Sequence, residues 1–246
     1  MKGMSKQYPG VRALEGVDFE LRSGEVHCLV GENGAGKSTL MKILAGAVRK
    51  DGGKIAIRGN PVEVGSPADA LRLGVGIIYQ DFRLVDALTV AENIFLGHEP
   101  VRGLLRFIDR QAMHAGARKV LAQLGEEIDT RQPVGILNVA QRQIVEIAKA
   151  LSRKIQILVM DEPSAALTER EIQNLFKIIR TLKNEGVGVI YISHRLEEIF
   201  GIGDRVTVLR DGRVVQTTTV KELDRRMLIQ WMVGRTLEKE FPGIEI

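Results

Sequence analysis

The chain has 246 residues, of which 44% are hydrophobic and 27% are charged, which suits one large globular domain or a core with a smaller subdomain. Its net charge of +4 comes from scattered basic residues, and only 4% of residues are aromatic, so we expect a solvated surface and no nucleic-acid partner. The single cysteine excludes an internal disulfide and favours a reducing cytosol, and no apolar run or leader predicts a membrane span or a secretory signal.

The first strong pattern is the segment GENGAGKST, which fits the motif G-x-x-x-x-G-K-[ST] at every fixed position. An apolar stretch at residues 26–30, containing Cys28, predicts a buried strand before it. A helical pattern at residues 39–45 follows and stops at Gly46. The sequence therefore predicts a strand, a phosphate-binding loop and a helix. The expected phosphate-binding residues are Gly31, Asn33, Gly34, Ala35, Gly36, Lys37, Ser38 and Thr39.

The residues of this loop are those expected to bind a nucleoside triphosphate. Glycines let successive backbone N–H groups face one concavity, where they bind phosphate oxygens. A helix that begins near Gly36 adds the positive end of its dipole. Lys37 has the reach to contact the β- and γ-phosphates, and the Ser38 hydroxyl is placed to bind Mg²⁺.

Two weaker signals follow along the chain. Residues 75–80 predict a buried strand that ends at Gln80, whose amide oxygen has the chemistry to contact Mg²⁺ or a water. Residues 142–151 predict a helix, with Asn138 as a favourable N-cap and Gln141 at its opening. A capped helix start is an anion site in some proteins and only a cap in most, and this element alone does not decide between the two.

Two acids end the next apolar run, at residues 157–162. A run that is apolar throughout is typical of a central parallel strand, and ligands bind at the carboxyl ends of such strands. Asp161 is therefore a candidate Mg²⁺ ligand. Glu162 is a candidate general base that polarises an attacking water.

Residues 187–193 predict a further buried strand, and His194 stands at its end. An imidazole there is placed to approach the γ-phosphate and to orient the water. The remaining histidines, His27, His98 and His114, have no partner at metal-ligand spacing. We expect them to play structural roles.

The remaining patterns complete the outline. Residues 54–57 predict a strand, residues 169–184 an amphipathic helix, and residues 205–216 a hairpin that turns at Asp211–Gly212. Trp231 is expected to pack in a terminal helix. These elements predict an α/β core with a mostly parallel sheet and an antiparallel part near the start.

A phosphate loop, a glutamine after a strand, an L-x-x-x-Q helix start, an apolar-Asp-Glu strand and a strand-ending histidine occur here in that order. This ordered set resembles the nucleotide-binding domain of ATP-binding cassette (ABC) transporters, over residues 8 to about 234. The resemblance implies ATP and Mg²⁺ as cofactors, ATP hydrolysis as the activity, and a P-loop NTPase (RecA-like) core with an antiparallel β subdomain and an α-helical subdomain.

The resemblance also implies roles for particular segments. Tyr8 matches the aromatic residue that stacks on adenine, and residues 164–167 match a loop that crosses the dimer interface. Residues 81–152 match the helical subdomain that docks on transmembrane permease subunits. The ATP-binding core would then comprise residues 1–80 and 153–235. In this family the segment from Leu137 to Gln141 faces the phosphate loop of a second cassette, so that Asn138 and Gln141 contact its nucleotide.

The segment QRQIVEIAKAL resembles importers of simple sugars such as ribose, galactose and xylose. In that subfamily one polypeptide carries two cassettes in tandem, lies on the cytoplasmic side of the cell membrane, and serves a permease that receives sugar from a periplasmic or extracellular binding protein. The chain would be the amino-terminal cassette, and residues 236–246 would begin the linker. A nucleoside importer is the related alternative.

Some residues depart from the family pattern. The usual Leu-Ser-Gly-Gly-Gln segment reads Leu-Asn-Val-Ala-Gln here, and Thr168 stands where Asp is usual. The side chains of Val139 and Ala140 are expected to obstruct close approach of the backbone to phosphate. Two other classes stay open at this point: a soluble ABC ATPase of translation or DNA repair, and a nucleotide-binding regulatory module without turnover.

Overall fold

The computed structural model describes residues 1–234 and contains twelve strands and eight α-helices within that range. The strands are β1 (Lys2–Tyr8), β2 (Val11–Val17), β3 (Val26–Val30), β4 (Gly52–Ile57), β5 (Asn60–Val62), β6 (Val75–Ile78), β7 (Val101–Arg102), β8 (Phe107–Ile108), β9 (Ile157–Asp161), β10 (Gly188–Ile192), β11 (Arg205–Arg210) and β12 (Arg213–Thr219). The helices are α1 (Lys37–Leu44), α2 (Pro67–Arg72), α3 (Val90–Phe95), α4 (Arg110–Gln123), α5 (Val139–Leu151), α6 (Glu169–Asn184), α7 (Leu196–Ile202) and α8 (Arg225–Val233).

The central sheet has six strands in the order β12-β11-β3-β10-β9-β6. All neighbouring pairs are parallel except the β11–β12 hairpin. Strands β3 and β10 are buried along their whole length, because helices cover one face of the sheet and α1 with the antiparallel sheet covers the other. The carboxyl ends of β3, β9, β10 and β6 therefore meet at one edge, where the predicted site residues follow.

A second, antiparallel sheet has the order β2-β1-β4-β5 and lies in the first 62 residues. Met4, Leu14 and Ile55 on its inner face are buried in a hydrophobic core that also contains Leu29 of β3 and Leu40 of α1. This sheet is the predicted antiparallel part, but the strand pattern had indicated only β4. Strands β1 and β2 are rich in charged and exposed residues, which hides their period-two alternation.

Between residues 81 and 152 the structure has three helices, α3, α4 and α5, which pack on one another and on the central core. The short hairpin β7–β8 projects from them with exposed apolar side chains and was not predicted. Helix α5 begins at Val139, three residues before the predicted start. It does so because Asn138 and Gln141 form a capping box that fixes the first turn.

Most other predictions of elements are confirmed. Helix α6 has the predicted bounds, and its Thr168 cap closes a capping box with Glu171. Trp231 lies in α8 and packs, partly buried, against the main core. Over residues 1–234, no helix combines the length and the apolar character needed to cross a bilayer. The predicted linker at residues 236–246 lies outside the described residues.

Candidate functional site

The loop between β3 and α1 forms a cradle whose shape depends on glycine. Gly31 and Gly36 have φ of +147° and +104° and pack against backbone from other elements. A Cβ on Gly31 would lie 2.1 Å from the Leu209 carbonyl oxygen, and a Cβ on Gly36 would lie 2.6 Å from the Ala13 carbonyl oxygen. Only a residue without a side chain allows the loop to sit this close to β11 and β2.

The cradle forms one wall of a polar cavity of about 240 Å³ at the carboxyl edge of the central sheet. Its lining is nearly the predicted phosphate and metal set: Asn33, Gly34, Ala35, Gly36, Lys37, Ser38, Thr39, Gln80, Asp161 and Glu162. Residues far apart in sequence thus meet because β3, β6 and β9 are parallel and end at the same edge. The volume suits a phosphate chain with its ion.

Lys37 is the cation of this cavity. Its ammonium donates to the carbonyl oxygens of Gly31 at 2.7 Å and Glu32 at 3.0 Å, so the side chain curls back over the loop. Burial lowers its pKa, and the nearby carboxylates of Glu162 and Asp161 partly offset this effect. Within the described residues no acid forms an ion pair with Lys37, and Lys37 lines the cavity.

Asp161 ends β9 beside the cradle and is half-buried. Burial raises its pKa, the neighbouring Glu162 raises it further, and Lys37 and Lys42 act in the opposite direction. A carboxyl whose charged form is disfavoured gains most from a nearby cation, so Asp161 remains a candidate metal ligand.

Glu162 has an uncommon backbone conformation for a residue other than glycine, with φ of +48°. Its N–H donates to the Ile192 carbonyl oxygen at the end of β10, at 3.0 Å. Its Oε1 lies 3.2 Å from Nδ1 of His194. The turn after β9 therefore places Glu162 in the cavity lining and beside the histidine that follows β10. Uncommon backbone conformations of this kind cluster at functional sites.

His194 does not itself line the cavity. Its side chain is 65% exposed, whereas that of Glu162 is 24% exposed. The structure thus unites Glu162 and His194, and the approach of His194 to a phosphate stays a prediction.

Four predicted nucleotide contacts lie outside the cavity lining: Gly31, which shapes the cradle, and Tyr8, Asn138 and Gln141. Tyr8 ends β1 with an exposed ring, and the Lys6 ammonium lies 5.5 Å from the ring centroid. Asn138 and Gln141 bond each other: the Asn138 Oδ1 accepts from the Gln141 N–H at 2.8 Å, and the Gln141 Oε1 accepts from the Asn138 N–H at 3.2 Å. Their contact with a nucleotide requires a second cassette and stays a prediction.

A larger cavity of about 310 Å³ lies at the opposite, amino-terminal end of β9 and β10. It is lined mainly by apolar side chains such as Phe19, Leu44 and Ile190. Its lining contains none of the residues of the loop between β3 and α1 and neither Asp161 nor Glu162, so its size does not make it the functional site.

Sequence reasoning missed a buried carboxylate next to the site. Glu198 in α7 is 2% exposed and accepts hydrogen bonds from Ser164, Tyr191 and Ser193. The local sequence Arg-Leu-Glu-Glu reads as the solvated start of a helix.

The comparisons with known proteins agree with this geometry. The model of the ABC transporter family matches residues 14–165. The chain is 57% identical over 242 residues to ribose import ATP-binding protein RbsA 1 of Rubrobacter xylanophilus, covering 98% of this chain and 48% of that protein. It is 50% identical over 240 residues to a putative ribose/galactose/methyl galactoside import ATP-binding protein of Burkholderia cenocepacia, covering 98% and 47%.

Among solved structures, the ADP conformation of MJ1267, an ATP-binding cassette of an ABC transporter, superposes with a TM-score of 0.82 at 25% identity, covering 95% of this chain and 97% of that one. The chain spans about half the length of the relatives that it matches by sequence. The matched residues include the whole phosphate loop and the acidic end of β9. The chain belongs to the ABC transporter family.

Proposed function

We propose that this chain is an ATP-hydrolysing cassette that energises import of a monosaccharide such as ribose or galactose. The observation that supports it most is the single polar cavity in which Lys37, Ser38, Gln80, Asp161 and Glu162 meet. The transport role is supported by two relatives at 50% and 57% identity, both of which are named as sugar import ATP-binding proteins. The two other classes, translation or repair ATPase and regulatory module, have no specific observation in their favour.

The residues present fit Mg²⁺. Ser38, Gln80 and Asp161 bring a hydroxyl, an amide oxygen and a carboxylate to one cavity, and Mg²⁺ prefers such oxygen ligands together with substrate phosphates. The raised pKa of Asp161 adds an electrostatic reason for a cation at that position. When bound, the ion would neutralise charge on the β- and γ-phosphate oxygens.

The remaining steps belong to this chain's own groups. Backbone N–H groups of residues 33–38 bind phosphate oxygens, and α1 adds its positive end. Lys37 moves from its own loop carbonyls to the phosphates, an exchange that costs little because its present partners are neutral. Glu162 accepts the proton of the attacking water, and His194 holds the Glu162 carboxylate in place through its Nδ1.

The rest of the assembly follows from the family and from the length of the relatives. We propose that a second cassette, the carboxyl-terminal half of a tandem polypeptide, completes the nucleotide sandwich. Residues 81–152 would dock on permease subunits at the cytoplasmic side of the membrane, with residues 1–80 and 153–235 forming the ATP-binding core. The sugar would contact the permease and a binding protein and never this chain. The ring of Tyr8 would stack on adenine.

The test is Glu162→Gln in the full-length protein. The variant keeps the size of the side chain and removes its basicity, so ATP binding is retained while phosphate release falls by about 10²- to 10⁴-fold, the usual contribution of a general base. Glu127→Gln, which changes a glutamate outside the cavity, is the matched control. Phosphate release by the Glu162→Gln variant at the wild-type rate would remove Glu162 from the proposed role.

The altered segment Leu137–Gln141 leads to a second expectation within this function. Asn138 is used as a helix cap, and exposed Val139 stands where the family has glycine. We propose that this segment grips the nucleotide of the facing cassette weakly, and that the Lys37 site, which borrows its segment from that cassette, is the competent one. The triple change Asn138→Ser, Val139→Gly and Ala140→Gly in the full-length protein should raise nucleotide occupancy at the facing cassette. Unchanged occupancy there would contradict the idea.

A further inference from the structure

A buried carboxylate, Glu198, is hydrogen-bonded to both of the chain segments that carry Glu162 and His194. Glu198 sits in the first turn of α7 with its side chain 3% exposed. Its Oε1 accepts from the Ser164 hydroxyl at 2.6 Å, and its Oε2 accepts from the Ser193 hydroxyl at 2.6 Å and the Tyr191 hydroxyl at 3.0 Å. The Arg195 guanidinium lies 3.2 Å from Oε1. Both oxygens are therefore occupied.

These bonds join two separate segments of the chain. Ser164 is two residues after Glu162, in the turn that follows β9. Ser193 is one residue before His194, in the turn that follows β10. The Ser193 hydroxyl also accepts from the Arg195 N–H at 3.0 Å, which fixes the backbone just after His194. One carboxylate thus ties together the two turns that hold the candidate base and its histidine.

We propose that Glu198 is a positioning residue that holds the Glu162 turn and the His194 turn in register for hydrolysis. The proposal rests on the proposed function for its effect on turnover. Its structural part, the fixing of two turns by one carboxylate, is independent of that function.

The contacts around residue 198 require a hydrogen-bond acceptor with two oxygens, and a side chain that only fills the space would not satisfy them. Three hydroxyls and one guanidinium point at two oxygens, and all three hydroxyl-bearing residues are at most 3% exposed. Hydrogen bonds to an ionised group are shorter and about twice as strong as neutral ones, in keeping with the two contacts of 2.6 Å. An amide in place of the carboxylate turns one acceptor into a donor, so at least one of the hydroxyls must reverse its role.

The experiment compares Glu198→Gln with Glu25→Gln in the full-length protein. Glu25 is a matched control because it is also buried and bonded, to His27, Arg205 and the Arg22 N–H. It stands at the amino end of β3, away from the cavity at the carboxyl edge. Two readouts are taken: steady-state phosphate release against ATP concentration, and backbone hydrogen exchange of the two turns.

Glu198→Gln should lower kcat at least tenfold and leave the KM for ATP within twofold, because the phosphate loop keeps its contacts. Exchange at the Ala165, Leu167 and Arg195 amides, which are bonded within these turns, should rise in both turns together. Glu25→Gln should leave both readouts at wild-type values even where it lowers Tm. The single changes Ser164→Ala and Ser193→Ala, each removing one arm, should give intermediate values of kcat and serve if Glu198→Gln fails to fold.

Wild-type exchange in either turn of Glu198→Gln would overturn the proposal, and so would an equal effect of Glu25→Gln. If the serine variants are the ones measured, wild-type kcat and exchange in both would overturn it. If the full-length wild-type protein releases no phosphate from ATP, that result contradicts the proposed function and not the role of Glu198. The exchange experiment would still decide the role of Glu198, because it needs no turnover.

Discussion

Replacing Gly36 by Ala tests whether the close approach of the phosphate loop to the amino-terminal sheet shapes the site. The new Cβ would lie 2.6 Å from the Ala13 carbonyl oxygen and 2.8 Å from Leu14 Cδ2, and Gly36 has φ of +104°. The Leu14 methyl can rotate away, but the carbonyl belongs to β2 and cannot move without the strand. Either the loop or the strand must therefore shift.

The cost has two parts. A side chain at positive φ costs about 1–2 kcal/mol, and overpacking of a tight contact costs about 1–3 kcal/mol. The sum, roughly 2–4 kcal/mol after the smaller entropy of unfolded alanine is allowed for, corresponds to a Tm lower by roughly 5–15 °C in a chain of this size. Because Gly36 precedes α1, the shift also displaces the amides that face the phosphates.

Thermal unfolding without nucleotide and ATP affinity measured by titration are the two assays. Gly125→Ala is the matched control, since Gly125 has φ of +75° with no atom within 4 Å of the added Cβ and lies outside the cavity. The Gly125→Ala variant should lose only about 1 kcal/mol of unfolding free energy, from the unfavourable backbone conformation, and should keep wild-type ATP affinity. Equal losses of Tm in the two variants, or unchanged ATP affinity in Gly36→Ala, would refute the argument from close packing.

Two further predictions concern the charges of the cavity. Asp161→Asn should raise Tm of the nucleotide-free protein at neutral pH, because burial and Glu162 raise the pKa of Asp161 and its charged form therefore opposes folding above that pKa. The gain should shrink as pH falls through that pKa, where the wild-type carboxyl is already neutral, and an unchanged or lower Tm at neutral pH would contradict it. Lys37→Met should weaken ATP binding at least tenfold while leaving Tm within a few degrees, since the ammonium donates to the neutral carbonyls of Gly31 and Glu32; wild-type ATP affinity would show that Lys37 does not reach the phosphates.

Local sequence was sufficient for the phosphate cradle and for helix α6. The loop motif fixes its own backbone through glycines, and α6 follows from its apolar period and its Thr168 cap, so neighbouring residues contain nearly all the information. The gathering of Gln80, Asp161 and Glu162 beside Lys37 also followed from sequence, because buried strands of a parallel sheet end at one edge. Strands β1 and β2 escaped prediction because their local pattern is weak and the pairing of β1 with both β2 and β4 outweighs it.

Tertiary structure alone decided which side chains share the interior behind the site. The sequence predicts Ser193 at the end of a strand and Ser164 in a loop and gives Glu198 no role, yet hydrogen bonds between α7 and the segments after β9 and β10 bury all three in one network. The same holds for Gly36, whose neighbour Ala13 belongs to a strand of the other sheet. Local sequence patterns predict helices, strands and loop motifs because these depend on residues close together in the chain. Contacts between distant segments depend on how the sheets and helices pack, which no local pattern contains.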